Sequence, residues 1–137
     1  MGPTKIVLDT NIFISALGWK GKPRKIFERC IEKEFELVTS HEQLMELRRV
    51  MNYQKFDFNE DEKEAFVSLI LSIGTIVEIS GKVEVIKEDP EDNVILETTM
   101  RGKCKYLITG DPHLLRLNTM SSIEILTAHE FLEKILS

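Results

Sequence analysis

The sequence contains few cysteines, no long apolar run and no excess of positive charge. Its two cysteines, Cys30 and Cys104, do not form a CxxC pair, so we expect two small buried thiols in a reduced compartment rather than a disulfide framework. No apolar stretch approaches the ~20 residues that a transmembrane helix needs. The N-terminus also lacks the apolar run of a secretory signal. We therefore expect a cytoplasmic protein that does not enter a membrane.

The charge balance argues against nucleic-acid binding through bulk positive charge. The chain has 18 basic and 23 acidic residues and a net charge of −5. This balance does not exclude an enzyme with a local basic rim around an acidic centre. The acids comprise 17 Glu and 6 Asp. Because Glu is typical of helix surfaces, the six Asp residues are the better candidates for specific roles.

Short apolar runs alternate with amphipathic segments along the whole chain. The expected strands are residues 5–8, 35–39, 75–79, 106–109 and 123–126. The expected helices cover residues 12–17, 23–33, 41–51, 59–74, 89–101, 112–117 and 128 onward. Strands that alternate with helices predict an α/β fold with three layers, α/β/α, around a central parallel sheet of about five strands. We expect one domain over residues 1–137.

Candidate helix caps accompany this alternation. Thr10 or Asn11 can cap the first helix. Ser40, followed by Gln43 three residues later, has the pattern of a capping box, and so do Thr127 and Glu130.

Acidic residues occur where the predicted strands end and where helices begin. Asp9 ends the first strand and Asp111 follows the fourth by two residues. Asp92 lies at a helix start, Glu46 lies beside the apolar stripe of its helix, and Asp89 precedes Asp92 by three residues. Because ligands bind beyond the carboxyl ends of parallel strands, these acids predict a site there.

Each acid also has an ordinary structural explanation. Asp92 fits a helix N-cap, Asp111 fits a turn before a proline, and Glu46 fits a solvated helix edge. Asp9 is harder to explain in this way, because it adjoins a buried strand where a carboxylate without partners is costly.

Several carboxylates in one cleft repel one another, and shared protons or a divalent cation can relieve the repulsion. All-oxygen ligands suit Mg²⁺ or Mn²⁺. His41, His113 and His129 have neither HxxxH nor HExxH spacing, which disfavours zinc. We therefore expect a Mg²⁺ or Mn²⁺ site.

Four motifs taken in order resemble the PIN-domain family, and in particular the VapC-like toxins of toxin–antitoxin modules. The motifs are VLDTNIFIS at 7–15, SHEQLMEL at 40–47, DPEDN at 89–93 and ITGDPHLL at 108–115. Together they span most of the chain. The threonines at 98 and 99 are a departure, since family members often carry small residues such as Ala there.

The resemblance implies a metal-dependent ribonuclease that hydrolyses single-stranded RNA and leaves a 5′-phosphate and a 3′-hydroxyl. It also implies an antitoxin protein as partner and a homodimer. The implied catalytic and metal-binding residues are Asp9, Glu46, Asp92 and Asp111. Asn11, Thr109 and Asp89 would support them.

A basic loop follows the first acid and contains the only Trp. It comprises Trp19, Lys20, Lys22, Arg24 and Lys25. These residue types suit a nucleic-acid rim, because basic groups contact phosphates and an exposed aromatic stacks on a base. A solvated turn, with Trp19 packed on the surface or in a subunit contact, is the alternative.

Other functions remain as alternatives to a toxin. A PIN-like chain could instead be an inactive RNA-binding or scaffold module, or a housekeeping RNA-processing nuclease. A haloacid-dehalogenase phosphatase would need DxDxT, whereas residue 11 is Asn. The acidic pattern does not fit a receiver domain, and no P-loop motif is present.

Overall fold

The computed structural model describes residues 2–81 and 90–136, and in these ranges strands alternate with helices. The strands are β1 (Thr4–Leu8), β2 (Phe35–Thr39), β3 (Thr75–Ile76), β4 (Tyr106–Ile108), β5 (Thr119–Met120) and β6 (Ile123–Leu126). The helices are α1 (Thr10–Gly18), α2 (Lys22–Ile31), α3 (His41–Met51), α4 (Glu60–Ile73), α5 (Pro90–Arg101), α6 (Pro112–Leu115) and α7 (Ala128–Leu136).

The strands form one sheet with the order β3-β2-β1-β4-β6-β5. Neighbouring strands are parallel except for β5, which runs antiparallel to β6. Strand β1 lies at the centre, where Ile6 pairs with Leu37 on one side and with Tyr106 on the other. The expected three-layer α/β/α fold with a mainly parallel sheet is confirmed.

Both faces of the central strand are buried. Ile6 and Leu8 pack into the larger apolar cluster, whereas Val7 between them packs into the second cluster with Leu107 and Ile125. Successive side chains of a strand point to opposite faces. Helices therefore have to cover the sheet on both sides, which is why Ile6–Leu8 of β1 is a continuous apolar run.

Short elements at the periphery differ from the expectation. Strand β3 contains two residues instead of the five expected at 75–79, because only Thr75 and Ile76 pair with β2. Strand β5 was not expected, and neither was a 3-10 helix at Gln54–Phe56. Strands of two residues and a helix of a single turn are too short to show hydrophobic periodicity in the sequence.

The helix caps follow the expectation only in part. Asp9, and not Thr10 or Asn11, caps α1. Ser40 does cap α3, where its hydroxyl accepts from the Gln43 N–H at 3.3 Å.

The Gln43 side chain has a different role from the one expected in a capping box. Its amide donates to the Leu8 carbonyl and its oxygen accepts from Thr39 Oγ1 at 2.7 Å. Fully buried, Gln43 ties α3 to the ends of β1 and β2. The Thr127–Glu130 box is confirmed by its two reciprocal hydrogen bonds.

Thr98 and Thr99, the departure from the family pattern, are fully buried in α5. Their hydroxyls donate to the carbonyls of Val94 and Ile95 one turn earlier, at 2.7 and 2.8 Å. Thr98 also hydrogen-bonds Ser40 at 2.8 Å. The extra polar atoms are therefore satisfied, and one of them joins α5 to the start of α3.

Both thiols are free and buried, as expected. Burial, with a contribution from Glu34, raises the pKa of Cys30 to about 12. Burial is also the largest cause of the rise for Cys104, again to a pKa of about 12. Among the described residues, no helix is both long and apolar enough to span a bilayer.

Glu97 is a buried carboxylate on α5 that no sequence motif marks. It is 1% exposed. It accepts from the N–H and hydroxyl of Ser80 and from the Gly81 N–H, at 2.6 to 2.9 Å, and pairs with Arg101 at 3.2 Å. Burial raises the pKa of Glu97, but these hydrogen bonds outweigh burial and hold the pKa below its usual value. Through these hydrogen bonds, Glu97 holds Ser80 and Gly81, in the segment after β3, against α5.

We predict that Glu97→Gln lowers the free energy of unfolding at pH 7 by about 1–3 kcal/mol, the usual loss when a buried charged acceptor is replaced. A depressed carboxylate pKa stabilises the fold above the unfolded pKa of about 4.3, and this stabilisation is lost as the pH falls through the folded value. Urea denaturation between pH 7 and 3 should therefore show a flatter acid limb in the variant. Exposed Glu64→Gln on α4 is the control, and an identical limb in Glu97→Gln would contradict the assignment.

Candidate active site

Four of the predicted acids line one open cleft at the carboxyl edge of the sheet. The cleft has a volume of about 320 Å³. Asp9 enters it from the end of β1, Asp111 from the loop after β4, Glu46 from α3 and Asp92 from the start of α5. Parallel strands β1 and β4 are neighbours, so their carboxyl ends bring the first two acids together.

The Asp9 carboxylate is held by the first residue of α1 and by the residue that follows β4. It is 7% exposed. Its Oδ1 accepts from the Thr10 N–H at 2.7 Å, which caps α1, and its Oδ2 accepts from Thr109 Oγ1 at 2.7 Å. Thr109 Oγ1 in turn accepts from the Asp111 N–H at 3.0 Å. Thr109 therefore links the first and fourth acids, as a supporting residue would.

Glu46 is positioned from α1. Thr10 Oγ1 donates to Glu46 Oε2 at 2.8 Å, so the residue after the first acid orients the helix glutamate. Asn11 is exposed and also lines the cleft. Asp89, the outer supporting residue of the prediction, lies outside the described residues.

The remaining two acids lie beside an imidazole. One oxygen each of Asp92 and Asp111 and a ring nitrogen of His113 all lie within 4.8 Å of one another, a spacing that can hold a metal ion. His113 Nδ1 is 3.9 Å from both carboxylates. Asp92 is 5% exposed, whereas about half of the His113 side chain is open to solvent. The spacing of the histidines only argued against a zinc site, and it did not predict that His113 lies beside these two acids.

Two of the acids combine a capping role with a place in the cleft. Asp92, expected as an N-cap, lies instead inside the first turn of α5, which begins at Pro90. Asp111 does cap α6, accepting from the His113 N–H at 2.8 Å, and Asp9 caps α1. Each carboxylate nevertheless lines the cleft. A cap fixes the carboxylate in one orientation, so a capping role and a ligand role are compatible in the same residue.

Basic and aromatic side chains line the cleft on the α3 side. The sequence analysis did not predict them. Arg49, Tyr53, Lys55 and Phe56 all line it. Arg49 was detectable, because it follows Glu46 by three residues and so shares its helix face. The other three lie past the end of α3, where no periodicity guides the prediction.

The basic loop lies elsewhere than expected. Arg24 donates to the carbonyls of Ala16 and Leu17 at 2.8 and 2.9 Å, and so satisfies the C-terminal end of α1. Lys22 contacts His129, and with Lys25 it lines a different groove, against α7. Neither these side chains nor the exposed Lys20 line the acidic cleft.

Trp19 comes nearest to the expected rim. It is 55% exposed and packs edge-on against Phe56, with 6.3 Å between ring centroids. Since Phe56 lines the cleft, Trp19 lies one side chain away from it.

Comparison with known proteins agrees with this architecture. An uncharacterized protein of Methanocaldococcus jannaschii is 28% identical, over 95% of this chain and 90% of its own length. The fold is similar to VapBC2 from Rickettsia felis, solved bound to a DNA fragment from their promoter, with a TM-score of 0.63 and 14% identity over 89% of this chain and 97% of that one. It is also similar to PAE2754 from Pyrobaculum aerophilum, with a TM-score of 0.61 and 14% identity over 99% and 98% of the two chains.

The model of the PIN domain matches residues 5–113. This range contains all four acids of the cleft, together with Thr109 and His113. The chain belongs to the PIN-domain family of nucleases.

Proposed function

We propose that the chain is a Mg²⁺- or Mn²⁺-dependent endoribonuclease that hydrolyses phosphodiester bonds of single-stranded RNA. The observation that carries the proposal is the single cleft lined by Asp9, Glu46, Asp92 and Asp111 in a chain of the PIN-domain family. Two of these carboxylates are more than nine-tenths buried. Concentrated buried negative charge of this kind is typical of a site that receives a cation.

The donor set fits such a cation. Carboxylate oxygens of Asp9, Asp92 and Asp111 are the hard ligands that Mg²⁺ and Mn²⁺ prefer, and His113 adds a nitrogen at the exposed side. A divalent cation held there would lower the pKa of a water, supply it as the nucleophile and offset the negative charge of the phosphate.

The side chains of the cleft have separate roles in this reaction. Glu46, oriented by Thr10, accepts the proton of the attacking water. The water oxygen bonds to phosphorus, the bond from phosphorus to the 3′-oxygen breaks, and the leaving oxygen takes a proton from solvent. The products carry a 5′-phosphate and a 3′-hydroxyl. Arg49 and Lys55 place positive charge near the substrate phosphates.

We further propose that the protein is the toxin of a prokaryotic toxin–antitoxin module, acts in the cytoplasm and forms a homodimer. The similarity of its fold to VapBC2 supports the toxin assignment and an antitoxin partner. The neighbouring gene is the decisive test of this part. A small antitoxin-like reading frame beside this gene would support the toxin, and its absence would favour a housekeeping RNA-processing nuclease.

We predict that the pure protein cleaves single-stranded RNA with Mg²⁺ or Mn²⁺ and is silent in excess EDTA, because the carboxylates need the cation for chemistry. End analysis should find 5′-phosphates. Cleavage that persists in EDTA, or products with a 2′,3′-cyclic phosphate, would contradict the mechanism, since the latter require attack by the 2′-hydroxyl. Absence of cleavage with either metal would favour the inactive binding or scaffold module.

Another prediction concerns Asp92. Its carboxylate lines the cleft but caps neither α1 nor α6. Asp92→Asn should abolish cleavage and remove most of the rise in melting temperature caused by Mn²⁺, because that rise reports binding to the folded state. Melting curves with and without Mn²⁺ measure the shift, and an RNA cleavage assay measures the activity. Asp61→Asn, an exposed acid in the first turn of α4, is the control that should keep activity and shift. An intact Mn²⁺ shift in Asp92→Asn would remove Asp92 from the proposed metal site.

A further inference from the structure

Four aromatic side chains form a continuous surface beside the acidic cleft. Tyr53 and Phe56 are parallel within 8°, and Phe56 and Phe58 within 12°, with 6.4 and 5.7 Å between ring centroids. Trp19 packs edge-on against Phe56 and Phe58 at 6.3 and 6.5 Å. We call Trp19, Tyr53, Phe56 and Phe58 the aromatic platform.

Core packing explains only part of the aromatic platform. Phe56 and Phe58 rest on the larger apolar cluster, and Phe58 packs close to Gly18, where an added Cβ would lie 3.2 Å from its ring. Trp19 and Tyr53, however, remain 55% and 42% exposed. The half-exposed rings of Trp19 and Tyr53, which pack on Phe56 and Phe58, therefore present flat apolar surface to solvent.

The aromatic platform is continuous with the acidic cleft and carries positive charge. Tyr53 and Phe56 line both features. Arg49 donates to the Tyr53 hydroxyl at 2.7 Å, and the Lys55 ammonium lies 5.1 Å from the centroid of the Phe56 ring. Flat rings accompanied by cations match a strand that offers unpaired bases and phosphates at the same time. A second protein chain would not need the cations, and a duplex would not offer free base faces.

We propose that the aromatic platform is a base-stacking subsite, which holds unpaired nucleotides next to the phosphate that reaches the acidic cleft. The subsite rests on the proposed nuclease function. It makes Tyr53 and Phe56 determinants of strand selection, since a paired base cannot stack on them, while Arg49 and Lys55 hold the adjoining phosphates. Every base has a π-face, so the subsite selects unpaired strand without reading sequence.

Binding to metal-free protein tests the subsite without cleavage. The probes are a fluorescently labelled oligoadenylate of about ten nucleotides, the same strand in a duplex, and an abasic strand of equal charge. Anisotropy gives each affinity. Trp19, the only Trp, reports contact directly through its fluorescence. We expect oligoadenylate to bind roughly ten-fold more tightly than the other two probes and to quench Trp19.

Tyr53→Leu and Phe56→Leu keep apolar bulk but remove the flat ring. Each should weaken oligoadenylate binding roughly ten-fold and leave abasic-strand binding unchanged, in keeping with the loss of one base–aromatic stack. Leu71→Ala, an exposed apolar residue on α4, is the control that should bind as the wild type does. Melting curves verify that each variant is folded, and Tyr53→Leu keeps the test decisive if Phe56→Leu unfolds.

Three outcomes would overturn the subsite. These are equal wild-type affinity for oligoadenylate and abasic strand, an equal loss for both probes in the variants, and a change of oligomeric state with unchanged strand affinity. The last would assign the aromatic platform to a second copy of the chain. Metal-dependent cleavage with unaltered binding in the variants removes the subsite and leaves the proposed function. Selective binding of the unpaired strand, without cleavage in any divalent metal, would leave the subsite and remove the proposed nuclease function.

Arg49 and Arg48 provide a matched pair for the phosphate contacts. Both lie in the last turn of α3, but only Arg49 lines the acidic cleft, whereas Arg48 lines a separate surface with Asn52 and Glu60. Arg49→Gln should weaken binding of the oligoadenylate and abasic strands alike. It should also reduce the slope of log affinity against log salt by about 0.7, the value for one phosphate contact on a single strand. Arg48→Gln should leave the slope unchanged, and equal slopes in both variants would contradict the assignment.

Discussion

The carboxylate of Asp9 is the junction on which the acidic cleft depends. It caps α1 by accepting a hydrogen bond from the Thr10 N–H, and it accepts another from the Thr109 hydroxyl. The Thr109 hydroxyl oxygen in turn accepts a hydrogen bond from the Asp111 N–H. The Asp9 N–H itself donates to the Ile108 carbonyl at 2.9 Å. A buried carboxylate is tolerated only with such partners. One side chain therefore fixes the ends of β1 and β4 and the start of α1 relative to one another.

Helix α3 brings opposite charges to the same cleft. Glu46 faces the acids and is held by Thr10, while Arg49 lies one turn later toward the aromatic platform. In a chain with a net charge of −5, this arrangement concentrates negative charge where a cation would bind. It also keeps positive charge where phosphates of a strand would pass. Buried Gln43 anchors the helix, since it bonds to the end of β1 and to Thr39 of β2.

The fold was largely predictable because its central strands are buried on both faces. Residues 5–8, 35–39 and 123–126 are mainly apolar segments bounded by turns or caps, and each is a strand within one residue of the expected bounds. Prediction failed at the periphery. Strand β5 and the 3-10 helix span two or three residues, and β3 ends early, because pairing partners and not local pattern decide such short elements.

The sequence by itself determined which acids end strands and begin helices, and parallel topology then implies that they meet at one edge. Asp9, Asp92 and Asp111 could therefore be expected at a common edge from the order of the elements. Glu46 lies inside α3 and joined them only through the resemblance to the PIN-domain family. Only the tertiary structure decided what surrounds them. His113 approaches Asp92 across a gap of 21 positions in the chain, and the aromatic platform joins Trp19 after α1 to rings after α3. Only the tertiary structure, too, shows that Arg24 binds the carbonyl of Ala16 near the end of α1 and does not line the cleft. Residue type and periodicity describe one element at a time, whereas these contacts form between elements and are fixed only when the helices pack on the sheet.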